Sequence, residues 1–325
     1  MTVVNAMILF YNKQGIKGVK KMNYLVFDIG GTFVKYALID DQGHISHKNK
    51  MPSLKTGIDN FIDSLVEVYQ EYKVYDLSGI AISVPGAVDV EKGIIYHGGG
   101  LPFLHECCIT EVLSKRCDNL NVAVENDGKC AGLAEVWLGN ASDVKDAVCM
   151  VIGSGIGGAI IKDRKIIRGN RLIAGEISNI IVDYTREQLE QGKSPIHNTY
   201  AFKASAILLT MRVAKLKGLD PKEVTGEKVY EWANQGDEIC INALEDVYFN
   251  IAMQAYNFQY TYDPDVILIG GGISEQPQFI EGIKRYVERI GNFEYHFAHP
   301  IIKPCKYNND SNLLGALYNF KQIYE

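Results

Sequence analysis

The chain has 325 residues, 47% hydrophobic and 22% charged, with a formal net charge of −6. That length suits two domains, each able to bury its own core. No basic run of the kind that grips nucleic acid is visible, and no apolar run reaches the length that spans a bilayer.

Residues 1–21 differ from the rest. Met7-Ile8-Leu9-Phe10-Tyr11 is apolar but short, and no basic residue precedes it. A secretory signal needs both a basic start and a longer apolar stretch, so the segment reads as an upstream extension ending before Met22. The run Tyr24-Leu25-Val26-Phe27 then enters Asp28-Ile29-Gly30-Gly31-Thr32, with Lys35 shortly after. This is a buried strand ending in a carboxylate, two glycines and a hydroxyl. Gly30 and Gly31 let backbone N–H groups approach an anion where a Cβ would obstruct. Thr32 adds a donor, Lys35 a cation, and Asp28 a contact to magnesium through water or phosphate. It is not a P-loop, since GxxxxGK[ST] is absent.

Tyr36–Ile39 reads as a second strand, followed by the turn Asp40-Asp41-Gln42-Gly43. Ile62, Leu65, Val66 and Tyr69 repeat at helical spacing within residues 58–72. Gly79–Val84 is a buried strand ending at Pro85-Gly86. Asn121–Val124 is another, ending in Glu125-Asn126-Asp127 ahead of a helix over Lys129–Glu135. Strands separated by helices indicate a wound α/β sheet, in which ligands collect at the carboxyl ends of strands. The Asp28, Gly86 and Asn126-Asp127 groups all sit at such ends.

Val148–Ile161 enters and leaves a glycine turn on apolar strands, a β-hairpin around Gly153, Ser154 and Gly155. The strand-to-helix passage of a dinucleotide site is therefore absent. Glu176 follows Gly175, and a carboxylate there suits a bidentate grip on adjacent hydroxyl groups; a solvated loop glutamate is the competing reading. Helices are expected from Tyr200 to Lys217 and from Asp237 to Tyr262. In the second, Tyr248, Ile251, Ala252, Ala255 and Phe258 form a core or dimer stripe. Val266–Ile269 is a buried strand ending in Gly270-Gly271-Gly272, and a last helix opens at Asn312, with Gly315 as a close-packing position. Three glycine turns on strand ends point to one shared phosphate and nucleotide site. The seven cysteines are odd in number and lie mostly in apolar surroundings. They read as reduced thiols of a cytoplasmic protein, and Cys107, Cys108 and Cys117 lack zinc spacing.

The Asp28–Thr32 stretch, Glu125-Asn126-Asp127, Ile152–Gly158, Ala174-Gly175-Glu176-Ile177 and Leu268–Gly272 stand in the order found in the ROK family, which the chain resembles over residues 22–325. That family holds bacterial sugar kinases and sugar-responsive repressors, within the actin-like, hexokinase-type ATPases. The resemblance implies an α/β, two-domain actin-like fold with a nucleotide and sugar cleft between residues 22–126 plus 311–325 and residues 127–310. It implies ATP and Mg²⁺, and phosphorylation of the primary (6-) hydroxyl of a hexose or β-glucoside with Asp127 as general base. Physics alone offers a helix N-cap at Asp127; the resemblance favours the base, and one residue could serve as both. Asp28, Gly30, Gly31, Thr32, Lys35, Gly153, Ser154, Gly155, Gly271 and Gly272 are implied to hold ATP, and Gly86, Asn126, Asp127, Glu176 and Asn179 the sugar.

The chain departs from the common Gly-Glu-Ile-Gly-His pattern, with Ser178 and Asn179 in place of Gly and His. Residues 180–200 hold no cysteine and only His197, so the zinc site of many members is not expected. These losses resemble the zinc-free branch of β-glucoside and N-acetylmannosamine kinases; glucokinase or fructokinase activity is the further alternative. Tyr200, Phe202, Lys203 and Ser205 are candidates for the altered rim, against core packing for Phe202 and solvation for Lys203. A repressor needs a DNA-binding helix pair ahead of Asp28, and the 27 residues before it are too few. A sugar sensor without turnover is the alternative of another class. A homodimer is expected, with no nucleic-acid or membrane partner.

Overall fold

The computed structural model describes residues 22–293 and 298–325, so the extension read over residues 1–21 lies outside the described residues. The first sheet holds β1 (Asn23–Ile29), β2 (Phe33–Asp40), β3 (Ile45–Pro52) and β4 (Leu77–Val84). Past a small sheet of β5 (Ala87–Asp89), β6 (Ile94–Tyr96) and β7 (Cys107–Cys108), it is completed by β8 (Val122–Asn126). Its order is β3-β2-β1-β4-β8: β1–β2 and β2–β3 are antiparallel, while β1, β4 and β8 run parallel. The β2–β3 turn forms where expected. The Asp40 carboxylate accepts the N–H groups of Gln42 at 3.0 Å and His44 at 2.8 Å.

β1 is apolar along its length because both its faces are covered. Leu25, Phe27 and Ile29 meet α1 (Ile58–Tyr72) and α2 (Ile109–Arg116), while Tyr24 and Val26 face the opposite layer. That layer is α3 (Asp127–Leu138), which follows β8, together with the chain's last helix. The second sheet holds β9 (Ala147–Ile152), β10 (Ile156–Lys162), β11 (Lys165–Ile166), β12 (Val266–Gly270) and β13 (Ile302–Pro304). Its order is β11-β10-β9-β12-β13, and β9–β10 is the antiparallel hairpin expected from the glycine pattern.

The exposed α4 (Arg186–Glu190) precedes the helices that cover the outer face of this sheet. Those are α5 (Tyr200–Ala204), α6 (Ala206–Lys217), α7 (Gly226–Asn234), α8 (Glu238–Thr261) and α9 (Pro277–Gly291). The α8 stripe of Tyr248, Ile251, Ala252, Ala255 and Phe258 is core. α10 (Ser311–Tyr324) returns to the first sheet, its Leu313, Leu317 and Phe320 packing with Tyr24 and Val26. α3 is buried on nearly every side. Cys130 and Ala134 face α10 and the first sheet, whereas Leu133 and Val136 face Cys149, Ala159 and Leu268 of the second. Gly315 lets the helices meet, since a Cβ there would collide with the Cys130 carbonyl.

One expected element is corrected. The helix read over Tyr200–Lys217 breaks at Ser205, which is extended and buried between α5 and α6. Tyr200 is fully buried in the core of the second sheet, its hydroxyl 3.5 Å from the Met150 sulfur. Tyr200 and Ser205 are therefore core and not rim. Lys203 is paired with Asp183 at 2.7 Å, and half-exposed Phe202 stands edge-on to His197. Among the described residues no helix is long and apolar enough to cross a membrane.

Candidate active site

Asp28 ends β1 as a buried carboxylate with its oxygens separately assigned. One oxygen accepts the Ser83 hydroxyl of β4 at 3.1 Å and the Asn312 amide of α10 at 3.0 Å. The other takes the Lys35 ammonium of β2 at 3.3 Å. Three elements thus fix the rotamer, leaving lone-pair capacity toward the cleft. Behind it Ser53 ties down the turn, donating its N–H to the Thr32 carbonyl at 2.9 Å and its hydroxyl to that of Gly30 at 2.6 Å. Thr32 itself is exposed.

At the carboxyl end of β8 the cap and the acid are separate residues. Asn126 is the N-cap of α3, its Oδ1 accepting the Lys129 N–H at 3.0 Å. Asp127 occupies the first helical position, so the capping role read for it is corrected to its neighbour. The Asn126 amide donates to the Gly86 carbonyl at 2.9 Å and to Asp127 Oδ1 at 3.1 Å. Both amide hydrogens are thereby committed within the protein. One lone pair on Asn126 Oδ1 remains uncommitted. Gly86 has φ 105°, and a Cβ there would press on the Tyr96 and His97 carbonyls. The carbonyl that orients Asn126 consequently needs glycine.

The Asp127 carboxyl is pushed up to about 6, chiefly by burial and further by the Asp28 and Glu176 carboxylates; the Gly128 N–H and Lys129 oppose the rise. A carboxylate that titrates near neutrality and sits at a strand end is matched to proton acceptance. Glu176 faces it from the loop after β11, held by the Lys129 ammonium at 3.1 Å. The lysine side chain is 2% exposed and the glutamate 34%. The solvated-loop reading of Glu176 gives way to a tethered carboxylate. Glycines let these segments nest: Gly128 of α3 lies against Gly157 and Gly158 of β10, and Gly158 against the Gly175 carbonyl. A second ion pair, Arg168 to buried Glu125, ties the Glu176 loop to β8, with Arg168 Nε 3.1 Å from the carboxylate.

Five of the ten expected nucleotide residues, Lys35, Gly153, Ser154, Gly271 and Gly272, line two neighbouring cavities. Gly153, Ser154 and Gly272 border one of about 380 Å³, walled by Ile152, Ile207, Val224 and Ile273 and edged by Thr210 and Glu227. Lys35, Gly271 and Gly272 border one of about 170 Å³ with Asn308 and Asn312. Gly271 has φ 92°, and a Cβ there would collide with the Ile152 carbonyl, so the ends of β12 and β9 meet only through glycine. Gly30 and Gly31 flank the Asp28 turn, and Gly155 lies exposed at the hairpin tip. Asn179 ends a 3₁₀ turn, Ile177–Asn179, exposed and with its N–H on the Glu176 carbonyl at 3.3 Å. Ser178 points inward, its hydroxyl on the Ile156 carbonyl at 2.9 Å.

Sequence reasoning missed Lys129, Ser83, Asn312 and the Arg168–Glu125 pair. Lys129 alone left a signal: a lysine in the first turn of a mainly apolar helix, if buried, must find a counter-charge.

The profile described as "ROK family" matches residues 24–323. A β-glucoside kinase from Listeria innocua is 33% identical over 301 residues, covering 93% of this chain and 98% of that one. The crystal structure of a ROK family protein from Streptococcus pneumoniae in complex with sucrose superimposes with TM-score 0.84 at 34% identity, over 93% of this chain and 99% of that one. A ROK family glucokinase from Streptomyces griseus, bound to glucose and AMPPNP, shares the fold with TM-score 0.72 at 19% identity, over 90% of this chain and 97% of that one.

Proposed function

The chain belongs to the ROK family, and on that footing we propose that it is an ATP-dependent sugar kinase acting on the primary hydroxyl of a hexose or β-glucoside. Asp127 accepts the hydroxyl proton as the sugar oxygen attacks the γ-phosphorus and ADP leaves. Phosphoryl transfer asks of the protein mainly in-line positioning and charge stabilisation. The apolar 380 Å³ cavity takes the nucleoside. The turns at Gly30–Thr32, Gly153–Gly155 and Gly271–Gly272 take the phosphates on backbone N–H groups, aided by Lys35. Mg²⁺, when bound with ATP, supplies charge neutralisation near Asp28, whose remaining lone pairs suit a water-mediated contact. On this reading residues 22–126 with 311–325 form one lobe and residues 127–310 the other. The protein works as a cytoplasmic homodimer without zinc.

The observation that carries the reading is Asp127: a carboxyl raised toward neutrality, held by the Gly128 N–H at 2.8 Å and facing Glu176 and Asp28. A sensor without turnover has no need of a proton acceptor so poised. Preference for β-glucosides rests on Asn179, which is exposed where the common pattern has His, and on the likeness to the Listeria innocua enzyme. A smaller side chain there leaves the anomeric end open to an aglycone.

The test is ADP release with Mg-ATP and a panel of glucose, cellobiose, gentiobiose, N-acetylmannosamine and N-acetylglucosamine. A β-linked glucoside is expected to match or exceed free glucose in kcat/KM, and purified protein to carry far less than stoichiometric zinc. No turnover on any sugar overturns the kinase. Glucose or N-acetylmannosamine ahead of every β-glucoside by about tenfold, roughly 1.4 kcal/mol, overturns the substrate preference alone.

A further inference from the structure

Lys129 projects from the first turn of α3 and is buried beside the carboxylates of the cleft. It is one of the largest fully buried side chains of the protein, surrounded on its own helix by Cys130, Ala131 and Leu133. Burying an ammonium is costly unless a counter-charge meets it. The partner at 3.1 Å is Glu176 Oε1, whose side chain still reaches the cleft. The pair is therefore asymmetric: the cation is sealed in the protein and only the anion faces substrate. Lys129 is also two residues from Asp127 on the same helical turn, and Asn126 receives its N–H.

We propose that Lys129 is the positioning residue of the sugar grip, holding one oxygen of Glu176 so that the other is presented, in a fixed rotamer, to a pair of adjacent sugar hydroxyls. The proposal rests on the reading of Glu176 as the sugar-binding carboxylate and adds how that carboxylate is aimed. A glutamate loses substantial rotamer freedom when ordered. Pairing with a buried, immobile ammonium removes that freedom before the sugar arrives, which is preorganisation. The same ammonium gives the site a second property. The charged and titratable groups facing Asp127 are Asp28 from β1, Glu176 from the loop, Lys129 from its own helix and the buried Cys130 thiol. Lys129 is the cation among them, and without it the base is harder to ionise.

The experiment is steady-state kinetics of Lys129→Met, which fills the same space without charge, beside Glu176→Gln. Lys129→Met is expected to raise the KM for the best panel sugar at least tenfold while the KM for ATP stays within twofold. The acidic limb of kcat/KM for sugar should move to higher pH, because the cation favouring ionised Asp127 is gone. A purely structural role would lower thermal stability and leave both the pH limb and the sugar-to-ATP contrast unmoved. Should the methionine variant not fold, Lys129→Gln, which keeps a donor without the charge, carries the same test. If Glu176→Gln raises the sugar KM and neither lysine variant does, the inference fails while the reading of Glu176 stands. If Glu176→Gln leaves the sugar KM unchanged, both fall.

Discussion

The two five-stranded sheets are built to one plan and carry different chemistry. In each, the first strand pairs antiparallel with the second and parallel with the fourth: β3-β2-β1-β4-β8 against β11-β10-β9-β12-β13. Near the first turn of the first sheet, Asp28 stands opposite Lys35 across the strands. Near the corresponding turn of the second sheet, Val151 stands opposite Gly157. The first sheet thus places a carboxylate, an ammonium and, at the end of β8, the Asp127 carboxyl around its strand ends. The second offers glycine backbone, one serine hydroxyl and an apolar cavity. The same topology can be filled with ionic or with neutral groups, so function follows the site and not the fold. On this comparison, damage to ionic groups of the first sheet should cost far more than damage to side chains on the hairpin of the second.

The largest effect should come from Asp127→Asn, which keeps shape and removes the proton acceptor. General-base losses run about a hundredfold to ten-thousandfold in kcat, while sugar affinity should hold within a few-fold because Glu176 remains. In the wild type, kcat/KM for sugar should fall as the pH drops through about 6, where Asp127 takes up its proton. Stability should run the other way. Burial raises the folded carboxyl above the ordinary aspartate value of 3.8, so its ionised form destabilises the fold above that range, and the cost fades as the pH falls from about 6 toward about 4. Asp127→Asn should then be the more stable protein at pH 8 by about 1–3 kcal/mol, with little advantage left at pH 4. Thermal unfolding across pH checks this. Near-wild-type turnover in the variant would strip the first sheet of its chemical distinction.

Asp28→Ala comes next. It removes the acceptor shared by Ser83, Asn312 and Lys35 and leaves the partly exposed Lys35 ammonium without its counter-charge. Charge-assisted hydrogen bonds contribute about 1.5–3 kcal/mol each. A loss of about ten- to hundredfold in kcat/KM is expected, read mainly with Mg-ATP as the varied substrate. An effect confined to the sugar KM would move Asp28 out of the phosphate site.

Much of this architecture was legible because it is written in local signals. Apolar runs ending in Gly-Gly or Asn-Asp mark strand ends, and the 58–72 periodicity gives α1 residue for residue. The β9–β10 hairpin is legible because apolar strands flank its glycines on both sides. The losses are three-dimensional. Asn126 and Asp127 are both good caps, and only the backbone path shows which one fills the position. Tyr200 and Ser205 look like rim residues until the break between α5 and α6 turns them into the core. The partnership of Lys129 with Glu176 spans 47 positions and has no local signature. Likewise no local signal shows that Gly157 and Gly158 of β10 lie against Gly128 and Gly175, where they bring α3 and the Glu176 loop together.

The smallest effect sharpens the comparison most. Ser154 has the one side-chain hydroxyl of the Gly153–Gly155 turn. It is exposed and borders the 380 Å³ cavity. If the second sheet binds phosphate through its backbone, the serine side chain adds at most one neutral hydrogen bond, about 0.5–1.5 kcal/mol net. The turn geometry does not depend on it, since the Gly153 N–H is held by the Gly155 carbonyl at 2.9 Å and the Gly153 carbonyl by the Ala206 N–H at 2.9 Å. Ser154→Ala should therefore raise the KM for ATP by no more than about tenfold and leave the sugar KM and thermal stability unchanged. Ser154→Pro is the informative counterpart, because it deletes the N–H while the neighbouring glycines remain. It should weaken ATP more than the alanine variant does. Equal losses in the two variants would place the binding in the hydroxyl. In that case the second sheet, too, would work through a side chain, and the contrast between the two turns would be one of degree.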